Sequence, residues 1–83
     1  MNPSVSRPLS LPHPARVEAG RDGRPAALSG VAVINVREEW VVEDRWWTGR
    51  PLRRRYFEVV LDDGRCAVVF RDLVAGSWAI QRE

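Results

Sequence analysis

The side chains able to do covalent chemistry are few and stand apart. Cys66 is the only cysteine and His13 the only histidine in 83 residues. A nucleophile needs a base beside it, and these two sit in different regions: Cys66 in an apolar run, His13 among prolines near the start. The paired acids Glu38-Glu39, Glu43-Asp44 and Asp62-Asp63 are sequence neighbours, whereas acid–base catalysis needs carboxylates that converge on a cleft with separated pKa values. No glycine-rich phosphate loop is present. One histidine and one cysteine do not make a zinc site. The chain reads as a non-enzyme without metal or cofactor.

Binding chemistry is better represented. Four tryptophans are present, and Trp46 and Trp47 are adjacent. In a strand, neighbours point to opposite faces, so one of that pair is expected at the surface while others fill the core. An exposed tryptophan anchors protein interfaces and stacks on nucleic-acid bases. The segment Arg50-Pro51-Leu52-Arg53-Arg54-Arg55 follows directly, ahead of Tyr56, with Arg71 further on. These form either a solvated loop balanced by nearby acids or a basic, aromatic-flanked patch. All 13 basic residues are arginine, which reflects either GC-rich coding or the use of planar guanidinium groups to clamp anions and stack on rings. Net charge is only +2, which disfavours strong non-specific nucleic-acid binding and puts a protein partner first. The candidate binding residues are therefore Trp46, Trp47, Arg50, Arg53, Arg54, Arg55, Tyr56 and Arg71.

The elements that must carry these groups are short strands. A chain of this length allows one small core. Residues 1–13, rich in proline and serine, read as a disordered tail, and residues 14–83 as a single β domain. Arg16–Ala19 is a candidate strand, Gly20–Gly23 a turn, and Pro25–Leu28 an edge strand, with Gly30 marking a bend or bulge. Val31 to Trp47 favours strand but is too long for one straight strand, so a break is expected at Arg37-Glu38-Glu39; a helix through 37–47 is the competing reading.

The clearest element is a hairpin. Arg55–Leu61 and Arg65–Arg71 flank Asp62-Asp63-Gly64. A two-residue Asp63-Gly64 turn would pair Asp62 with Arg65, Leu61 with Cys66, Val59 with Val68, and Phe57 with Phe70. One face would then be apolar, with Cys66 a core residue. The other would carry Tyr56, Glu58, Val60, Ala67, Val69 and Arg71. Arg55 would oppose Asp72. A final strand, 77–82, closes the core with Trp78 and Ile80. The expected fold is all-β: a strongly bent antiparallel sheet or partly open barrel of five to six strands.

Trp46-Trp47, Arg54-Arg55-Tyr56-Phe57, Asp63-Gly64, Phe70-Arg71-Asp72 and Trp78 together resemble a small bacterial domain of unknown function. That domain occurs alone and at the C-terminal end of ImuB-type proteins, inactive Y-family polymerase relatives. The resemblance covers roughly residues 16–82, more specifically 46–78, and this chain lacks the tyrosine–aspartate ending common in that family. It implies an accessory module that docks onto a polymerase or repair factor in translesion synthesis. It carries over no polymerase activity and no metal site.

The reading is a protein-interaction module using Trp46 or Trp47 and the arginine segment, with a single-stranded nucleic-acid-binding small barrel as the alternative. Exposed edge strands allow homodimerisation by strand pairing. No apolar run approaches a membrane span, the start lacks the apolar stretch of a signal peptide, and one thiol suits a reducing compartment. The expected location is the cytoplasm.

Overall fold

A computed structural model describes residues 12–44 and 51–81. Trp46, Trp47 and Arg50, and the proposed tail up to Leu11, lie outside them. The described chain contains seven strands: β1 (His13–Pro14), β2 (Val17–Ala19), β3 (Pro25–Leu28), β4 (Val31–Asp44), β5 (Leu52–Leu61), β6 (Cys66–Asp72) and β7 (Trp78–Gln81). They form one antiparallel sheet in the order β1-β7-β6-β5-β4-β3-β2. Its two outer strands, β1 and β2, are consecutive in the chain and separated only by Ala15 and Arg16. The sheet therefore curls into a half-barrel. The all-β expectation holds, with one strand more than anticipated because His13, assigned to the tail, pairs with Ile80 in β1.

Turn chemistry sets the registers. At the β5–β6 hairpin Gly64 N donates to Leu61 O at 2.9 Å and Leu61 N to Arg65 O at 2.8 Å. Gly64 has φ +90°. Asp62 and Asp63 thus form the turn and Gly64 the left-handed bulge position after it, a three-residue loop rather than the expected two-residue one. The Asp63 carboxylate accepts from Arg65 N at 3.1 Å and Arg65 Nε at 2.8 Å. The β2–β3 hairpin repeats the device: Gly23 N donates to Gly20 O at 3.0 Å, Gly23 has φ +82°, and Asp22 accepts from Arg24 N at 3.0 Å. The genuine two-residue turn is Ser29-Gly30, with φ of 50° and 83°, joining Leu28 to its partner Val31. Gly30 is therefore a hairpin residue and not a bulge.

The extra loop residue shifts β6 by one against the expected pairing. Phe57 faces Val69, Val59 faces Ala67, Tyr56 faces Phe70, and Arg54 faces Asp72. Because side chains alternate, this turns the other face of β6 inward. The core is Leu28, Phe57, Val59, Leu61 and Val69, with Val17, Val33, Val36, Trp78 and Ile80 packed around it. Phe57, Val59 and Val69 are wholly inaccessible, and each side chain so buried contributes about 1.5–3 kcal/mol. Cys66, expected in the core, lies opposite Val60 and is exposed.

β4 is a strand from end to end and no helix forms within residues 37–44. Register shifts between Val33 and Asn35 and between Val36 and Glu38 bend it without interrupting it, which is how a strand this long follows a curled sheet. The second shift sits where a break was expected. β5 begins at Leu52, so Arg53, Arg54 and Arg55 belong to a strand and not to a loop.

Candidate interaction surface

Strand alternation divides the arginines. Arg53 and Arg55 share the inner face with Phe57, and Arg54 shares the outer face with Tyr56. Arg71, expected beside Tyr56, faces Arg55 across β5–β6 and so lies on the inner face. The expected single basic patch is thus two groups with different surroundings.

On the inner side, the arginines close one end of the core. Glu39 lies between two of them: Arg55 Nε donates to its Oε2 at 2.9 Å, joined by Arg55 Nη2, and Arg24 Nε donates to Oε1 at 3.1 Å. The hydrogen bond from Arg55, and then the positive charges of Arg55 and Arg24, hold the Glu39 carboxyl below its ordinary value. Arg55 also stands 5.0 Å from the Phe57 ring centre and Arg71 6.0 Å from that of Trp78. Arg53 Nε pairs with Glu43 at 2.9 Å. These guanidinium groups are engaged within the domain, by carboxylates or by ring faces.

The outer face carries an aromatic row running across three strands. Trp40 on β4, Tyr56 on β5 and Phe70 on β6 occupy matching register positions. Trp40 and Tyr56 stack with ring centres 5.3 Å apart and planes within 4°, and Tyr56 meets Phe70 at 4.9 Å with a 40° tilt. Arg54 completes the row. Its guanidinium carbon lies 4.4 Å over Phe70 and its Nη1 donates to Tyr56 Oη at 3.2 Å. Phe70 is consequently buried at 4% exposure, whereas Trp40 at the end of the row is 38% exposed and its neighbour Val42 36%. The surface grades from a fixed cation–aromatic stack to an open tryptophan.

The sequence points to Tyr56 and Arg54 as binding residues and to Trp40 as one of its notable tryptophans, but neither Trp40 nor Phe70 is among the candidate binding residues it gives. A two-residue turn places Phe70 in the core. The three-residue reading of Asp-Asp-Gly would have placed Phe70 beside Tyr56, whereas Trp40 joins them only through the β4–β5 register.

Among the described residues no cluster of three His, Cys, Asp or Glu side chains is arranged to hold a metal ion, and no helix is long and apolar enough to cross a membrane. No protein-family model, curated protein or solved structure matches the chain.

Proposed function

We propose that this chain is a non-catalytic binding module that docks a protein partner through the outer-face row, with Trp40 as the anchor. The observation that carries this reading is the cross-strand stack Trp40–Tyr56–Phe70, held by Arg54 and open at Trp40. A rigid aromatic with an apolar neighbour such as Val42 loses little conformational entropy on binding, the property of interface hot spots. The partner class implied by the resemblance, a polymerase or repair factor, belongs to the same proposal.

Single-stranded nucleic acid is the second reading, favoured by one observation: strand-borne rings beside an arginine form a stacking platform. A protein partner fits better because, among the described residues, four of the arginines near the row already have partners within the domain. Arg55 and Arg24 hold Glu39, Arg53 holds Glu43, and Arg54 lies on Phe70.

The test compares capture from nuclease-treated lysate by the wild-type chain and by Trp40→Ser, alongside titration with a fluorescent single-stranded oligonucleotide. The docking reading expects a nuclease-resistant partner that Trp40→Ser loses while remaining folded. Oligonucleotide binding that falls steeply with salt, with no nuclease-resistant partner, would overturn it in favour of the second reading.

A further inference from the structure

β4 is paired on both sides for only a short distance. β3 bonds it at Val31 and Ala32 alone, whereas β5 pairs with it out to Asp44. Pro25 brings no N–H to a ladder, and the β2–β3 hairpin swings inward, where Arg24 reaches Glu39. From Val33 onward, no strand among the described residues covers the other edge of β4. Both bulges lie before Glu38, so residues 38–44 form a regular strand in unbroken register with β5. Natural edges are commonly blunted by charged side chains, lysine above all, by proline or by a bulge. This stretch has no lysine, proline or bulge; of its carboxylates, Glu39 and Glu43 are already paired with arginines of the same chain, and between them it presents Trp40 and Val41, the latter 54% exposed.

We infer that this edge pairs antiparallel with the same edge of a second copy of the chain, with Trp40 at the two-fold axis. The register follows from parity and charge. Directly opposed residues in an antiparallel pair point to the same face, so a two-fold axis perpendicular to the sheet must pass through a residue position. Centring on Val41 sets Glu39 against Glu43, a like-charged contact that occurs twice. Centring on Glu38 or Glu39 opposes that carboxylate to itself. Centring on Val42 sets Val41 against the Glu43 carboxylate. Centring on Trp40 opposes Trp40 to Trp40, Glu38 to Val42 and Glu39 to Val41, with no like-charged contact within the regular stretch.

The aromatic row supports the same centre. Trp40 stacks on Tyr56 with one ring face, and among the described residues no ring covers the other, which looks toward the open edge. Neighbouring strands are about 4.8 Å apart, so pairing about Trp40 continues Phe70–Tyr56–Trp40 into Trp40–Tyr56–Phe70 of the second copy. The interface is small, so association depends on protein concentration. Self-pairing would occupy the Trp40 ring that the docking reading uses as its anchor, so the two compete for it; the inference is argued from the open edge, its register and the outward ring face, and self-association alone tests it.

Sedimentation equilibrium of the full chain should show a mass moving from 9.5 kDa to twice that value with rising concentration. Val42→Glu should raise the dissociation constant about tenfold by setting a carboxylate against Glu38 of the second copy in both contacts. Register is read in a Cys66→Ser background: an oxidised mixture of Glu38→Cys and Val42→Cys chains should form a mixed disulfide, and neither chain alone should. A chain that stays monomeric at every concentration would overturn the inference. So would a dimer whose mixed cysteines do not cross-link, or one in which Glu38→Cys alone cross-links equally well.

Discussion

The guanidinium of Arg54 lies over the ring of Phe70, 4.4 Å from its centre, and by doing so seals an aromatic residue on the outer face of a one-layer sheet. Asp72, opposite Arg54 in the register, supplies a negative charge nearby. The Arg54 Nε atom is buried without a hydrogen-bond partner, so stacking and the Tyr56 contact are what hold the group.

Arg54→Lys keeps the charge and loses the planar stack. It should destabilise the domain by about 1 kcal/mol and raise the accessibility of Phe70. Urea denaturation with a folded-baseline check by near-UV dichroism measures both effects.

Asp72 accepts from Ala75 N at 3.0 Å and Val74 N at 2.9 Å, shaping the turn into β7. Those two bonds, ahead of the charge of Arg54, hold its carboxyl below the ordinary value of 3.8. A lowered folded-state pKa means that the stabilisation is complete above the unfolded value and disappears as pH falls through the folded one. Asp72→Asn should therefore lower stability at pH 7 and flatten the loss of stability on acidification below about pH 4. Thermal unfolding of both proteins from pH 7 to pH 2 gives the comparison.

Gly64 and Gly23 occupy the same position in matching hairpins but have different surroundings. A Cβ on Gly64 meets nothing within 4 Å, while one on Gly23 would come 3.3 Å from Arg55 Nη1. Gly64→Ala should cost about 1 kcal/mol from backbone strain alone. Gly23→Ala should cost slightly more, because the Arg55 Nη1 end must give way, and that excess should vanish in an Arg55→Ala background. A double-mutant cycle reads the difference.

Cys66 is exposed and Phe57 fully buried. Cys66→Ser should change stability by less than about 0.5 kcal/mol, and the thiol should react with a disulfide reagent in the native protein as fast as a free peptide thiol. Phe57→Ala should cost about 3–5 kcal/mol, enough to unfold much of so small a domain. A slow native-state thiol reaction would restore Cys66 to the core and contradict the observed register.

Much of the fold was legible locally. Turn residues marked the hairpins, β-branched runs marked the strands, and the shortage of residues for a second layer implied a bent sheet. The candidate surface was less so. Arg53, Arg54 and Arg55 read as one basic cluster, yet their strand sends Arg54 outward and its neighbours inward. Trp40 was visible only as one tryptophan among four, because what distinguishes it is the company of Tyr56 and Phe70 from two other strands.

What the sequence determined by itself is the set of elements and the places where the chain turns, though not each turn's length, since those places follow from backbone preferences over a few residues: glycine where φ is positive, aspartate where it can accept from the backbone two residues on, valine where the chain is extended. Tertiary structure alone decided which face of β6 is buried. One residue in the loop, Gly64 as bulge in place of turn centre, exchanges Phe70 for Val69 in the core. Both faces of that strand are apolar enough to pack, with Val68 and Phe70 on one and Ala67 and Val69 on the other. Composition therefore could not choose between them, and the hydrogen bond from Leu61 N to Arg65 O did.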